Sequence, residues 1–536
     1  MLGALPHPAP ADVQQRWRAL GVWTDETLID RLTARAAAVT PTPALVDGDV
    51  RMSIADIEQA SAHVAAALHA RGIGPGDVVC WQLPNWWEAV VLCWAIVRAG
   101  AIASPITPSL RSHEVGHVLE RTHARLMIVP DSFRGTDYAS MVRSTGYAGE
   151  VVAVRGTGTF VSDFLGFDGV VPHVAAGVDD PAVILWTSGT TSLPKGVVHT
   201  HQSLRVEADT IAVAHAMAEG DTLLLPMPVT HVAGLTYGVL LPITRGVRAV
   251  LMDMWDPGTG LHLIETERVD VMISTPVFMR SMIDDPAFAH TDTSALRLFS
   301  LGGAGVAPSM VREGARSFGG ERGCWCKRTY GSTEYPTLST GRSGDDPERD
   351  ATTDGVLIGP AEVRIVDPGT DQDLPAGEPG ELLVRGPEMF SGYLEQEFEG
   401  EVFSHGGWFR TGDLATFDGT YLTIVDRLKD VIIRGGENIS AAEVEAMLAS
   451  HADVVEAACV AVPDPLMGER VCAYVIPRTN ASVTLDALRT HLVERGLARF
   501  KLPEHLELRA ELPRTASGKV RKAPLRAEQA SSAKGP

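Results

Sequence analysis

From Ser53 to Val129 the sequence changes period repeatedly, from the repeat of a helix to that of a strand and back, and this alternation restricts what the chain can fold into. Ser53-Ile54-Ala55-Asp56 opens a helix on which Ile54, Ile57, Val64 and Leu68 recur at helical spacing until Gly72 ends the pattern. Asp77 to Leu83 then reads as a strand, Trp86 to Ala99 as a buried helix, Ala101 to Pro105 as a strand, Ser112 to Thr122 as a helix and Arg125 to Val129 as a strand. Strands separated by helices pair in parallel, and the helices cover both faces of the sheet. The expected class is α/β, with Trp81, Trp86, Trp87 and Trp94 read as core rather than as a stacking surface. At 536 residues the chain exceeds what one core can organise, so two or more domains are expected.

A different kind of segment stands at Thr187-Ser188-Gly189-Thr190-Thr191-Ser192-Leu193-Pro194-Lys195-Gly196, between the apolar runs Pro181 to Trp186 and Val197-Val198. Small, hydroxylated and Gly/Pro residues make a loop, and its N–H groups, hydroxyls and the Lys195 charge suit a phosphate. The P-loop pattern G-x-x-x-x-G-K-[ST] fails here. Counted from Gly189 it needs Gly at 194 and Ser or Thr at 196, where the chain has Pro194 and Gly196, and Gly196 to His199 reads as a strand rather than a helix.

Downstream, Gln202 to Met217 reads as a helix, and Thr222 to Pro226, Val247 to Met252 and Val269 to Ser274 as strands. Ser300-Leu301-Gly302-Gly303-Ala304-Gly305 reads as a turn that would let a flat ligand approach the backbone. Tyr330 to Glu334 puts an aromatic ring, a hydroxyl and a carboxylate within five residues, and Arg342 to Asp354 reads as a charged surface loop. After Trp408 to Asp413, a two-residue hairpin turn is expected at Phe417-Asp418-Gly419-Thr420. The charged run Asp426-Arg427-Leu428-Lys429-Asp430 reads as an exposed connector, which divides the chain into 1–426 and 427–536. Ser440-Ala441-Ala442-Glu443 is a capping-box pattern opening a helix to about Ser450. Strands Val454 to Val462 and Arg470 to Ile476 and a helix Leu485 to Arg495 complete a small α+β domain, whose tail presents Lys519 on a flexible loop.

Acidic residues exceed basic ones, 67 to 46, which argues against a nucleic-acid or anionic-membrane partner and requires any ATP site to gather its cations locally. Six scattered cysteines read as reduced, idle thiols. Met1 to Pro10 has no signal-peptide pattern, and the longest apolar run, Ala89 to Val97, is too short to span a bilayer, so a cytoplasmic protein is expected.

The Thr187 loop resembles the T-S-G-T-T-G-x-P-K-G signature of the AMP-forming adenylating enzymes, the superfamily of acyl-CoA synthetases, peptide-synthetase adenylation domains and firefly luciferase. Eight of nine specified positions fit, and Ser192 stands where the family has Gly. Tyr330 to Glu334 matches Y-G-x-T-E, and Thr411 to Asp413, Asp426 to Asp430 and the Pro513-to-Lys519 tail follow in family order. The resemblance implies a large N-terminal domain of layered, mostly parallel sheets with helices and a small mobile C-terminal domain pivoting at Lys429. It implies adenylation of a small carboxylic acid by ATP with Mg²⁺, release of pyrophosphate, and transfer of the acyl group to CoA.

Carried over residue by residue, Thr187, Ser188, Gly189, Thr190, Thr191 and Lys195 would hold the β- and γ-phosphates. Gly302, Gly303 and Ala304 would line the adenine and Tyr330 would stack on it. Thr333 would bond the α-phosphate, Glu334 would coordinate Mg²⁺, and Asp413 would accept the ribose hydroxyls with Arg427 in support. Lys519 would bridge carboxylate and α-phosphate, and Gly435 and Gly436 would border the pantetheine path. His231 to Ile243 aligns with the border of the acyl pocket, where His231 could act as a gate. That segment has no charge beyond a protonated His231, and Val232 replaces the aspartate usual in peptide-synthetase domains, which favours an uncharged alicyclic, aromatic or medium-chain acid. Taken whole, the chain looks most like the bacterial medium-chain and cyclohexanecarboxylate type of CoA ligase. The motifs read ATP and not the nucleophile, so a carrier-protein thiol, an amine, or nitrite activated for diazotisation of an arylamine stays open as the alternative, as does a homodimer. Intact Glu334, Asp413, Arg427 and Lys519 speak against a binding-only relative.

Overall fold

The alternation that starts at Ser53 folds into a seven-stranded sheet, in a computed structural model that describes residues 6–38, 42–170, 174–187, 193–395, 402–434, 437–464, 467–479, 481–515 and 518–532. Strands Val78–Trp81, Ile102–Pro105, Leu126–Pro130 and Glu150–Val154 run parallel, with Val79 opposite both Ala103 and Leu126. The helix Ile54–Ala70 starts on a reciprocal box. Ser53 Oγ accepts from the Asp56 amide at 3.2 Å, and the Asp56 carboxylate accepts from the Ser53 amide at 2.8 Å, an arrangement that contributes about 1 kcal/mol. Trp87–Arg98 is buried over most of its surface. Trp81 and Trp94 are core residues, and the indole N–H groups of Trp94 and Trp86 reach Val239 O and the Asp253 carboxylate at 3.1 and 3.2 Å.

The strand Pro181–Thr187 turns back on Lys195–Thr200 as an antiparallel pair, with Thr187 opposite Lys195. A two-residue strand, Gly392–Tyr393, then pairs with Lys195–Thr200 from the far end of the N-terminal region. A second, nine-stranded sheet carries a parallel run of Arg248–Leu251, Thr222–Leu225, Val271–Ser274, Leu298–Gly302 and Trp325–Tyr330. The carboxyl ends of these strands lie on one edge, where open α/β sheets present their ligands. A third sheet pairs Gly380–Arg385, Trp408–Phe417 and Leu422–Arg427 antiparallel. The fourth is built only from residues beyond Ile432 and packs with Ala441–Leu448 and Leu485–Glu494 around its own core of Ile432, Val444, Leu448, Val471, Leu488 and Leu492. The molecule is thus mixed α/β, with a large N-terminal part of layered sheets and a small C-terminal α+β part. Among the described residues no helix is long and apolar enough to cross a membrane.

Four local expectations are corrected. Phe417 pairs with Leu422, so the hairpin loop is the four residues Asp418 to Tyr421, held by the Asp418 carboxylate accepting from the Thr420 and Tyr421 amides. Arg342 to Asp354 is not merely surface loop. It contains the helix Pro347–Thr352, and Asp354 is buried against Arg328 (3.0 and 2.9 Å) and the Ile424 amide (2.7 Å). Asp426 is also buried rather than part of an exposed connector. Its desolvation is offset by donors at Ser440 Oγ, the Arg427 amide and the Ala442 amide at 2.8, 2.7 and 3.2 Å. Only half of the second capping box forms: Ser440 Oγ caps the Glu443 amide, but the Glu443 carboxylate turns to Lys501 at 2.6 Å. The strand His505–Leu508 and the helix Lys522–Ser532 have no counterpart in the sequence reading.

Candidate active site

Tyr330 is the last residue of its strand, so its ring projects from the carboxyl edge of the nine-stranded sheet. Its hydroxyl donates to Asp413 Oδ2 at 2.6 Å. Burial, then the Asp413 charge, holds the phenol well above its ordinary pKa, which keeps the donated proton on Tyr330. Asp413 lies opposite Arg427 across two neighbouring antiparallel strands, and Arg427 Nε reaches Asp413 Oδ1 at 3.2 Å. Each carboxylate oxygen of Asp413 therefore already has one protein partner and retains lone pairs for a ligand.

Thr333 and Glu334 follow in a tight segment. The Thr333 carbonyl bonds His199 Nε2 at 2.7 Å, and the Glu334 carbonyl accepts from the Phe390 amide at 2.9 Å. Burial lowers the His199 pKa to about 4, so its imidazole is neutral at pH 7 and the bond to the carbonyl identifies Nε2 as the protonated nitrogen. Tyr393 donates to Glu334 Oε1 at 2.7 Å, and the same ring lies 5.2 Å from Lys195 Nζ. Neither His199 nor Tyr393 is marked by any sequence motif, because each meets its partner, 134 and 59 residues away in the chain, only in the fold. A Mg²⁺ ion fits this donor set. The Glu334 carboxylate is an oxygen donor of the kind Mg²⁺ takes together with phosphate oxygens and water, and among the described residues no group of three or more His, Cys, Asp or Glu could hold a metal ion.

Ser300 to Gly302 complete the strand Leu298–Gly302, and the turn starts only at Gly303, which has φ +74°. A Cβ on Gly302 would stand 2.6 Å from the Thr329 carbonyl oxygen, so the strand pair closes only around glycine there. A Cβ on Gly303 would stand 3.4 Å from Lys519 Cε, which brings the C-terminal lysine to this turn. Ala304 is exposed just beyond it.

The described residues on the two sides of the Lys519 loop are tied to each other, while Ala516 and Ser517 lie outside the described residues. The Thr515 amide donates to the Lys519 carbonyl at 2.8 Å, the Lys519 amide donates to Thr515 Oγ1 at 3.1 Å, and Arg514 holds the Gly518 carbonyl at 3.0 Å while paired with Glu456. Burial, reinforced by the Arg427 charge and opposed by Asp413 and Glu334, lowers the Lys519 pKa to about 8. The same ammonium acts on His231, whose pKa falls to about 4 through burial and then through Lys519. His231 is therefore a neutral imidazole, not the cation considered from sequence, and its Nδ1 accepts from the Ala233 amide at 3.3 Å. The segment after it runs Val232–Gly234, Leu235–Leu240 and Leu241–Thr244 as consecutive buried helical turns.

The structure thus gathers Tyr330, Glu334, Gly303, Asp413, Arg427, Lys519 and His231 around one edge, with Thr187 and Lys195 at the mouth of the neighbouring hairpin. Ser188, Gly189, Thr190, Thr191, Ser192, Gly435 and Gly436 lie outside the described residues.

Residues 32–394 match the family model of the AMP-binding enzyme, and residues 443–519 match that of the AMP-binding enzyme C-terminal domain. The medium-chain fatty-acid–CoA ligase of Escherichia coli (strain K12) is 31% identical over 525 residues, covering 95% of this chain and 92% of the relative. A salicylyl-CoA synthase / salicylate adenylyltransferase of a Streptomyces species is 33% identical over 538 residues, covering 97% and 96%. The crystal structure of ATP-bound MatB from Rhodopseudomonas palustris superposes with a TM-score of 0.84 at 28% identity, covering 94% of this chain and 99% of that one.

Proposed function

Because the chain belongs to the AMP-binding enzyme family, we propose that the residues gathered at this edge carry its reaction, with Lys519 as the group that drives the first step. The reaction is that of an AMP-forming acid–CoA ligase. A carboxylate attacks the α-phosphorus of ATP, pyrophosphate leaves, and the thiol of CoA then displaces AMP from the acyl-adenylate.

One observation supports the reading above the others: the Lys519 side chain lies against Gly303 at the carboxyl edge, within the fields of Glu334 and Asp413. An ammonium there would draw together two anions that repel each other, the carboxylate and the α-phosphate. Asp413, aligned by Tyr330 and Arg427, would accept from the ribose, and Thr333 would donate to the α-phosphate. The flanks of the Thr187–Lys195 hairpin would receive the outer phosphates, while Gly302, Gly303 and Ala304 would border the adenine. Glu334, oriented by Tyr393, would hold Mg²⁺, which when bound offsets phosphate charge.

Two expected results follow from these roles. In the free enzyme Lys519 is a cation below about pH 8 and loses that charge above it. The pH profile of kcat/KM for pyrophosphate release should therefore be flat through neutrality and fall above about 8. The limb in kcat should move to higher pH, because bound polyphosphate favours the cation. A kcat/KM that rises through pH 9 would contradict the role. The second concerns Lys429, which lies between the N-terminal core, ending near Leu422, and the C-terminal core, beginning at Ile432. As the pivot, Lys429→Pro should leave adenylation near normal and slow thioester formation at least about tenfold. Equal loss of both half-reactions in stopped-flow assays would remove the pivot.

For the acid, the buried and uncharged segment Val232 to Thr244 supports an uncharged medium-chain, alicyclic or aryl tail. Pyrophosphate release across medium-chain, alicyclic, aryl and dicarboxylic acids, each with and without CoA, tests this. Preference for a dicarboxylic acid would overturn it. All six cysteines are unpaired and buried, which together with the need for ATP and CoA supports a cytoplasmic location.

A further inference from the structure

Thr275 follows the strand Val271–Ser274 directly, in register beside Leu298–Gly302, so it stands at the same carboxyl edge as Gly303. It is also the N-cap of the helix Pro276–Ile283, a position where a threonine hydroxyl ordinarily accepts from the first-turn amides. Here it makes no capping bond. Its side chain is fully buried, and among the described residues Oγ1 has no hydrogen-bond partner of any kind. A buried hydroxyl without a partner is unfavourable, and a cap that turns away from its helix forfeits a further contribution.

The direction in which it turns is informative. A Cβ built on Gly518 would stand 3.3 Å from Thr275 Oγ1, and one built on Gly303 would stand 3.6 Å from Thr275 Cγ2 and 3.4 Å from Lys519 Cε. The hydroxyl therefore faces the residue next to Lys519, in the space left by two missing side chains. His231, at the head of the apolar segment, feels the Lys519 charge in the same place.

We propose that the Thr275 hydroxyl binds the carboxylate of the acid substrate, donating to one carboxylate oxygen beside the Lys519 ammonium. The proposal rests on the reading of Lys519 as the adenylation lysine. A neutral donor next to a cation suits an oxygen that starts as part of an anion and remains as the carbonyl oxygen of the mixed anhydride, since the bond persists while the charge leaves. The α-phosphate offers the same oxygen chemistry, and the kinetics separate the two.

The test compares Thr275→Val, which keeps the shape and removes the O–H, with Thr275→Ser, which restores it. With Val, KM for the acid should rise about 10- to 100-fold, the range expected for one hydrogen bond to a charged group. KM for ATP should stay within about twofold of wild type, the signature of a contact made to the acid alone. Ser should recover most of the loss, and the melting temperature of the Val variant should not fall, because the hydroxyl it removes has no partner to lose. An unchanged acid KM, or a rise in the ATP KM alone, overturns the proposal. Lys519→Ala run beside these variants separates the two levels. If it adenylates normally, the reading of the site fails; if it is inactive while Thr275→Val matches wild type, only the role of Thr275 fails.

Discussion

Lys519→Ala should lower adenylate formation by a factor on the order of 10² to 10³, the usual cost of removing one positioned electrostatic group. Folding should be untouched. The bonds that tie Lys519 and Gly518 to Thr515 and Arg514 use none of the Lys519 side chain and survive the substitution. ATP–pyrophosphate exchange with the best acid measures the first effect and thermal unfolding the second. Synthetic acyl-adenylate supplied with CoA should still give thioester at close to the normal rate, because in the proposed role the lysine serves only the step that makes the adenylate. Loss of both half-reactions would show that the side chain has a wider duty than bridging carboxylate and phosphate.

Asp354→Ala should destabilise the N-terminal part by about 3–5 kcal/mol, the range for stripping one partner from a buried ion pair. Arg328 would stay buried with no carboxylate beside it, and the Ile424 amide would lose its acceptor. Burial raises the Asp354 pKa above the ordinary carboxylate value despite the pull of Arg328, so the pair is expensive to assemble and more expensive to break. Arg328 lies two residues before Tyr330, and Ile424 lies on the strand that carries Arg427. Loosening this tie should therefore weaken ATP binding as well as stability. Urea unfolding with separate probes for the two parts checks it, since only the N-terminal transition should move. A shift below about 1 kcal/mol would mean that water replaces the lost carboxylate.

The elements between Ser53 and Val129 were legible because burial on one or both faces writes its period into the sequence. The helix Ser112–Thr122 has the bounds expected of it, and Ile54–Ala70 starts where Ser53 to Asp56 was expected to open a helix. What escaped was whatever depends on distant partners. Asp354 and Asp426 look like surface charge until the groups that satisfy them, Arg328, Ile424, Ser440 and Ala442, arrive from elsewhere in the chain. Phe417 to Thr420 carries an Asp-Gly pair that suits a two-residue turn, yet the register is set by the sheet and leaves four residues in the loop. For the site, motifs pointed to Tyr330, Glu334, Asp413 and Lys519, whereas Tyr393, His199 and Thr275 needed geometry. A lone tyrosine, a histidine in an apolar strand and a threonine before proline carry no pattern that separates a positioned group from an ordinary core residue.

The short strand Gly392–Tyr393 matters for how the protein comes into being. It pairs Gly392 with Val198 and Tyr393 with Val197. The hairpin strand Lys195–Thr200 therefore waits for nearly two hundred further residues to be synthesised before that edge is covered. The pairing of Leu45 with Ala249 imposes a similar wait on the other large sheet. Until then Val197 and Val198 offer an apolar edge with open backbone groups, the kind of surface that recruits another chain. A ribosome that stalls before residue 392, or a truncation that ends there, should leave an aggregation-prone product even though both strands of the hairpin are present. The residues beyond Ile432 escape this dependence, because their longest strands, Val454–Asp464 and Gly468–Pro477, are neighbours in the chain and pair as soon as both emerge.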